Sequence, residues 1–137
     1  MTATCFPHDA DIGVRGEAST REAAFAEAAA ALSAVVSDPA AIRADAPVVI
    51  ECEAPSDAIL LVDWLNRVIY EMAVRRMLFA RFDVAIQGRR LQAVAWGEPV
   101  DMARHQPAVE PKGATFTALR IEQRSDGSWL AQCVVDV

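Results

Sequence analysis

A chain of 137 residues, 53% hydrophobic and 23% charged, is long enough to bury one sizeable core and needs neither disulfides nor a structural metal to fold. No run of about 18 uncharged apolar residues occurs, which excludes a membrane-spanning helix, and residues 1–7 lack the basic flank and apolar run of a secretory leader. A net charge of −6 argues against tight, unaided binding to a phosphate backbone and suits a cation, or a basic patch on another protein.

Cys5, Cys52 and Cys133 are scattered, with no Cys-x-x-Cys pair, the pattern of reduced core thiols in a cytoplasmic protein. There is no repeat, linker or low-complexity tract, so residues 1–137 read as one domain.

In chain order, residues 12–17 alternate weakly around Gly13 and Gly16, which predicts a short strand with bends. Ser19-Thr20-Arg21-Glu22 has capping-box spacing, with Ser19 as N-cap and Glu22 reaching back. An alanine-rich helix follows to about Val36, turning Phe25, Ala28, Ala29, Leu32 and Val36 inward, and Ser37-Asp38-Pro39 stops it. Residues 48–53, between Pro47 and Pro55, form a strand. Ser56 or Asp57 then caps a second helix running to about Leu78. Leu61, Leu65, Val68, Ile69, Met72 and Ala73 repeat at helical spacing, and the breadth of that apolar surface predicts the central buried helix.

Two hairpins follow, 80–87 with 90–98 across Gly88-Arg89, and 115–123 with 128–135 across Ser125-Asp126-Gly127. Residues 99–112 between them read as a polar loop with a short helix near 101–105. Hairpin-paired strands with two helices inserted early give an α+β domain: a mixed or antiparallel sheet with two main helices packed on one face.

Four groups of residues could carry chemistry. His8-Asp9-Ala10-Asp11 concentrates polar ligands. Asp9 and Asp11 would share one side of an extended segment, with the hard oxygens preferred by calcium, magnesium or manganese; an Asx-turn network gives the same pattern. The chain ends in an apolar strand with Asp136 and Val137, so a side-chain and an α-carboxylate would stand side by side. Such a pair is costly without a cation, unless the terminus is frayed and solvated. Twelve of the thirteen basic residues are arginine, and Lys112 is the single lysine. Just before a strand it could neutralise carboxylates or hold a phosphate, or simply face water. Asp63 and Asn66, one turn apart on the second helix, could cap a neighbouring loop, bind a partner or face water. No Walker loop, nucleophile elbow, zinc motif or triad spacing is present.

Taken together, the segments Pro7-His8-Asp9-Ala10-Asp11-Ile12-Gly13, Leu60-Leu61-Val62-Asp63-Trp64-Leu65-Asn66, Gly97-Glu98, Glu110-Pro111-Lys112-Gly113-Ala114-Thr115-Phe116 and Asp136-Val137 resemble, in order and over nearly the whole chain, the archease family. The resemblance implies a non-catalytic protein that binds a divalent metal ion through Asp11, Asp136 and the terminal carboxylate of Val137, with Lys112 as a functional residue nearby. It also implies a partner, an RtcB-type GTP-dependent RNA ligase, whose guanylylation and multiple turnover in tRNA splicing or RNA repair the protein would promote. His8, Asp9 and Asp63 are further candidate functional residues. The sequence departs from the family pattern at Pro7 (usually Glu), Asp9 (usually Thr), around Pro111 and Gly113, and at Thr117, where a histidine role is not carried over. A chaperone-like interaction domain and a metal-dependent phosphohydrolase are the competing readings.

Overall fold

The computed structural model describes residues 1–8 and 11–137. Twelve elements follow in chain order: β1 (Thr2–His8), β2 (Asp11–Ala18), α1 (Arg21–Val36), a 3-10 turn (Pro39–Ala41), β3 (Ala46–Glu53), α2 (Asp57–Arg75), β4 (Met77–Gln87), β5 (Arg90–Pro99), α3 (Met102–His105), β6 (Gly113–Ala114), β7 (Arg120–Gln123) and β8 (Trp129–Asp136). Every strand pairing is antiparallel. The strands divide into a five-stranded sheet, β1-β2-β8-β6 with β7 also on β8, and a three-stranded sheet, β3-β5-β4. Both main helices touch strands of both sheets. The α+β class with antiparallel strands is therefore as expected from the pattern, and the helices form a layer shared by two sheets. No described helix is long and apolar enough to cross a membrane.

The helix boundaries follow local chemistry. Thr20, not Ser19, is the N-cap of α1, its side chain accepting from the Ala23 amide at 3.1 Å. That is the ordinary N3 bond of a capping hydroxyl, and it starts the helix one residue later than the capping-box spacing suggested. Ser56 caps α2 through the Ile59 amide. That helix stops at Arg75 because Arg76 turns left-handed, with φ 53°. Met77, Leu78 and Phe79 then begin β4 and are all buried, which is why their apolar run reads like more helix.

The enclosed helix is α1 rather than α2. Of the sixteen residues of α1, Ala34 alone is exposed, whereas α2 leaves Arg67, Tyr70, Ala73, Val74 and Arg75 on the surface. The physical reason is side-chain size. Gly16 of β2 lies so close to α1 that a Cβ there would collide with the Ala24 carbonyl oxygen and sit 2.5 Å from the Ala28 nitrogen. Alanines on the helix and a glycine on the strand let the two backbones approach almost to contact. Around them Val14, Phe25, Leu32, Leu65, Phe79, Leu91 and Val135 are fully buried. Trp64 of α2 fills the centre, donates its indole N–H to the Phe25 carbonyl at 3.0 Å and meets Phe82 edge-on, so its one polar atom is satisfied.

Two segments differ from the expected pattern. β1 has no counterpart in it, because this edge strand carries Pro7, lacks an apolar alternation and is held by its backbone ladder to β2. Of the strand expected over 115–123 only its end forms, as β7, while the two residues before it pair separately as β6, and the registers of β6 and β7 on β8 do not match one another. The slack is taken up at residues 115–119, where Ala118 has φ 52° and Leu119 N–H donates to the Phe116 carbonyl.

Two substitutions should move stability in opposite directions. Gly16→Ala must push β2 off α1 and is expected to cost about 2–3 kcal/mol. Arg76→Gly relieves a left-handed cap at a position glycine prefers and should gain about 0.5–1 kcal/mol. Urea midpoints of the two variants against wild type check both signs.

Candidate functional site

At one end of the five-stranded sheet the strand registers bring together polar residues of β1, β2 and β8 and the lysine that precedes β6. His8 of β1 is paired with Asp11 of β2. Ile12 of β2 is paired with Val135 of β8 as the last pair of that ladder, and Asp11 and Asp136 are the residues next beyond it on the two strands. On its other side Asp136 is paired with Gly113 of β6, and the Lys112 amide donates to the Asp136 carbonyl at 2.8 Å. Residues directly opposite in antiparallel strands project to the same face. Val14 and Gly16 point toward α1, so Asp11 and Asp136 lie on the other face, the one where Arg15 stacks on Phe6.

The backbone thus gathers His8, Asp11, Asp136, Val137 and Lys112 at one sheet end. Asp136 and Lys112 are exposed, while His8, Asp11 and Val137 are half-buried. Asp9 lies outside the described residues. Among the described residues no three His, Cys, Asp or Glu side chains converge as a metal cage, so the row offers two side-chain carboxylates. They are hard oxygen donors, the ligand type that divalent cations such as calcium or magnesium prefer. Neither carboxylate forms an ion pair with a described residue.

Asp63 sits elsewhere. It lines a polar cleft of about 430 Å³ with Cys52, Glu53, Asn66, Arg67 and Tyr70, between α2 and the end of β3. Burial, and secondarily Asp63, push the Cys52 thiol up to about 11, with Arg67 opposing. Such a thiol is unreactive at neutral pH. Asn66, on the same helix face, does reach the sheet: its side-chain oxygen accepts from the Ala114 amide at 2.8 Å and its amide donates back to the Ala114 carbonyl at 3.4 Å. It clamps the short strand that follows Lys112.

A second polar centre had no signal in residue spacing. Glu98, 6% exposed at the end of β5, accepts four hydrogen bonds. They come from the Arg43 amide at 2.6 Å, two guanidinium nitrogens of Arg104 at 2.9 and 2.5 Å, and His105 Nε2 at 3.1 Å. His105 Nδ1 accepts from the Asp101 amide at 2.8 Å, which assigns the ring proton to Nε2. Bonding to Arg104 and then to the Arg43 amide holds the Glu98 carboxyl far below the usual range, against the cost of burial. The preceding Gly97 is required by packing, since a Cβ there would collide with the Leu78 carbonyl oxygen. Beside this centre an apolar groove of about 480 Å³ runs between the C-terminal ends of α1 and α2 and residues 100–111.

A two-sheet antiparallel α+β domain with paired carboxylates and one lysine at a sheet end is the class of protein these features define. The family profile described as the archease protein family (MTH1598/TM1083) matches residues 4–137. "Protein archease" of Pyrococcus furiosus is 34% identical over 136 residues, covering 96% of each chain. That of Methanopyrus kandleri is 37% identical over 134 residues, covering 95% of each. Among solved structures, Methanobacterium thermoautotrophicum Protein 1598 superimposes with a TM-score of 0.85 at 26% identity, covering 98% of each chain. An archease of Thermotoga maritima, described as a possible chaperone, shares the fold with a TM-score of 0.63 at 16% identity, covering 100% of this chain and 98% of its own. The chain belongs to the archease family.

Because Glu98 titrates lower folded than unfolded, its stabilisation is complete above the free carboxylate value of about pH 4.3 and is lost as pH falls below it. The wild-type melting temperature should therefore drop steeply between about pH 5 and pH 3. Glu98→Gln, less stable at neutral pH, should show a shallower acid slope; thermal melts across that range test it.

Proposed function

We propose that this archease is a non-catalytic activator of an RtcB-type GTP-dependent RNA ligase, and that it works through the sheet end bearing Asp11, Asp136 and Lys112. The observation that carries this reading is the cross-strand placement of two carboxylates, without cationic partners among the described residues, beside the chain's single lysine. The family membership points the same way.

Asp11, Asp136 and the carboxylate of Val137 would hold a divalent cation, which when bound supplies a concentrated positive charge for phosphate or pyrophosphate oxygens. The chain's own contribution is positional. β2 and β8 carry the two side chains at their neighbouring ends, and the Asp136 carbonyl holds the backbone at Lys112 beside them. Presented to the ligase, this charged tip would bias its nucleotide pocket toward guanylylation and let it turn over repeatedly. A small acidic protein of this kind would act in the cytoplasm with its ligase, in tRNA splicing or RNA repair.

A chaperone-like role is the second reading. It is favoured by Tyr70, Val74 and Met102, each more than half exposed, with Met102 lining the apolar groove.

The test is multiple-turnover ligation by the ligase of the same organism with substoichiometric archease. Wild type should carry ligation past one turnover, and Asp11→Ala, Asp136→Ala and Lys112→Ala should each cut the stimulation by about tenfold or more with melting temperatures unchanged. Calcium titration by calorimetry should show affinity lowered about 10–100-fold in the two aspartate variants. Stimulation untouched by these substitutions, together with suppressed aggregation of unrelated proteins, would move the assignment to the chaperone.

A further inference from the structure

Residues 99–112 form a strap rather than a free loop. Val100 N–H donates to the Arg76 carbonyl at 2.9 Å, and Ala108 N–H to the Val36 carbonyl at 2.8 Å, the latter at the end of α1. The Ser37 hydroxyl donates to the His105 carbonyl at 2.7 Å. Between these points stands the Glu98 centre, in which one buried carboxylate receives Arg104 and His105 from the strap and the Arg43 amide from the loop before β3. Arg104 also donates to the Ala41 carbonyl at 2.7 Å. Downstream, Pro107 and Pro111 remove backbone freedom from the stretch that leads to Lys112, and Lys112 itself is fixed by its amide to Asp136.

We propose that Glu98 is a positioning residue: through Arg104 and His105 it latches the strap, and the strap places Lys112 at the carboxylate end of the sheet. The chemistry favours a latch over ordinary packing. A carboxylate with four donors is strong when closed, since charge-assisted bonds are about twice as strong as neutral ones. It is costly when half-open, since each lost donor leaves buried charge unsatisfied. The strap is therefore held in one place or released. Six of its residues, Val100, Met102, Pro107, Val109, Glu110 and Pro111, form one wall of the apolar groove, so release would also open that groove. The groups facing Glu98 are Arg43, Arg104 and His105, with Asp101 and Asp45 acting on Arg104 from its outer side. The inference rests on reading Lys112 as a working residue, but its test uses the isolated protein, so its failure and that of the ligase reading can be told apart.

Because Lys112 is the single lysine, reductive methylation marks that side chain and the N-terminus alone, and the methyl signals of the dimethyl-lysine report its surroundings by NMR. Amide hydrogen exchange of residues 100–114 gives the strap's opening. In Glu98→Gln the strap amides should exchange at least about tenfold faster while β3 and α1 keep wild-type protection, and the Lys112 methyl signals should shift toward free dimethyl-lysine. Arg104→Gln, at a partly exposed residue, is the milder second variant should Glu98→Gln fail to fold, and should move both readouts the same way. Ala34→Ser, at the exposed position of α1, should move neither. If exchange rises evenly through the whole domain, or the Lys112 signals stay put while the strap loosens, Glu98 is part of the core and not a latch for Lys112.

Discussion

The contact on which this molecule depends is the near-touching approach of β2 to α1 at Gly16. A helix shared by two sheets must offer little side-chain bulk on more than one side, and α1 meets that demand with alanine at Ala24, Ala28, Ala29 and Ala31, all buried. Small residues bury less apolar area each, so this helix contributes close packing rather than large transfer energy. The compensating bulk comes from the layers around it: Phe25 and Leu32 on α1 itself, Trp64 and Leu65 on α2, Phe79 and Leu91 on the smaller sheet. With β2 pinned against the helix, β8 can pair on its outer edge, and β6 and β7 can pair on β8. The positions of all five strands in the larger sheet follow from that one approach.

The candidate site is a consequence of this ladder. Asp11 opens β2 and Asp136 closes β8, so antiparallel pairing brings a residue near the start of the chain against one near its end. The ladder also decides the face: with Val14 and Gly16 committed to α1, the odd-numbered residues of β2 must point the other way. Two carboxylates held side by side repel unless a cation or a partner's basic group compensates them. No ion pair of Asp11 or Asp136 is present among the described residues. Lys112 is delivered to the same place by a separate route, along the strap and across Asn66, whose paired hydrogen bonds hold Ala114.

What the sequence made legible was what periodicity and punctuation encode. Both helices, β3, the Gly88-Arg89 hairpin and the short α3 stand where apolar spacing, prolines and glycines put them. The α2 end lies short of the expected one because buried Met77 and Leu78 continue an apolar run, and nothing local marks Arg76, an arginine, as left-handed. The edge strand β1 carries no alternation to detect, since its partner supplies backbone bonds and little core. The relative rank of the helices inverts for a related reason: α2 has the bulkier apolar side chains, but Tyr70, Ala73 and Val74 spend that hydrophobicity on the surface, while alanine-rich α1 is enclosed by geometry that no single-chain pattern displays. The convergence of His8, Asp11, Lys112 and Asp136 was readable as motifs, and only the register places them together. Gly97-Glu98 stood out only as a motif with no role attached, because Arg43, Glu98, Arg104 and His105 share no period and meet only in three dimensions.

The two polar centres divide the labour of the molecule. At Glu98 every donor and acceptor is matched inside the protein, the carboxylate is buried, and its charge is committed to holding chain segments together; a centre satisfied so completely has nothing left to offer a ligand. At the sheet end the reverse holds. Asp11, Asp136 and Lys112 are wholly or partly exposed and their charges are not paired among the described residues, so they add little to folding, and two adjacent carboxylates detract from it. Residues that cost the fold and do nothing for it locally are where a binding function is expected to reside. The strap joins the two centres physically, one end locked at Glu98 and the other at Asp136, so that the part of the chain that stabilises and the part that presents charge are consecutive stretches of one segment.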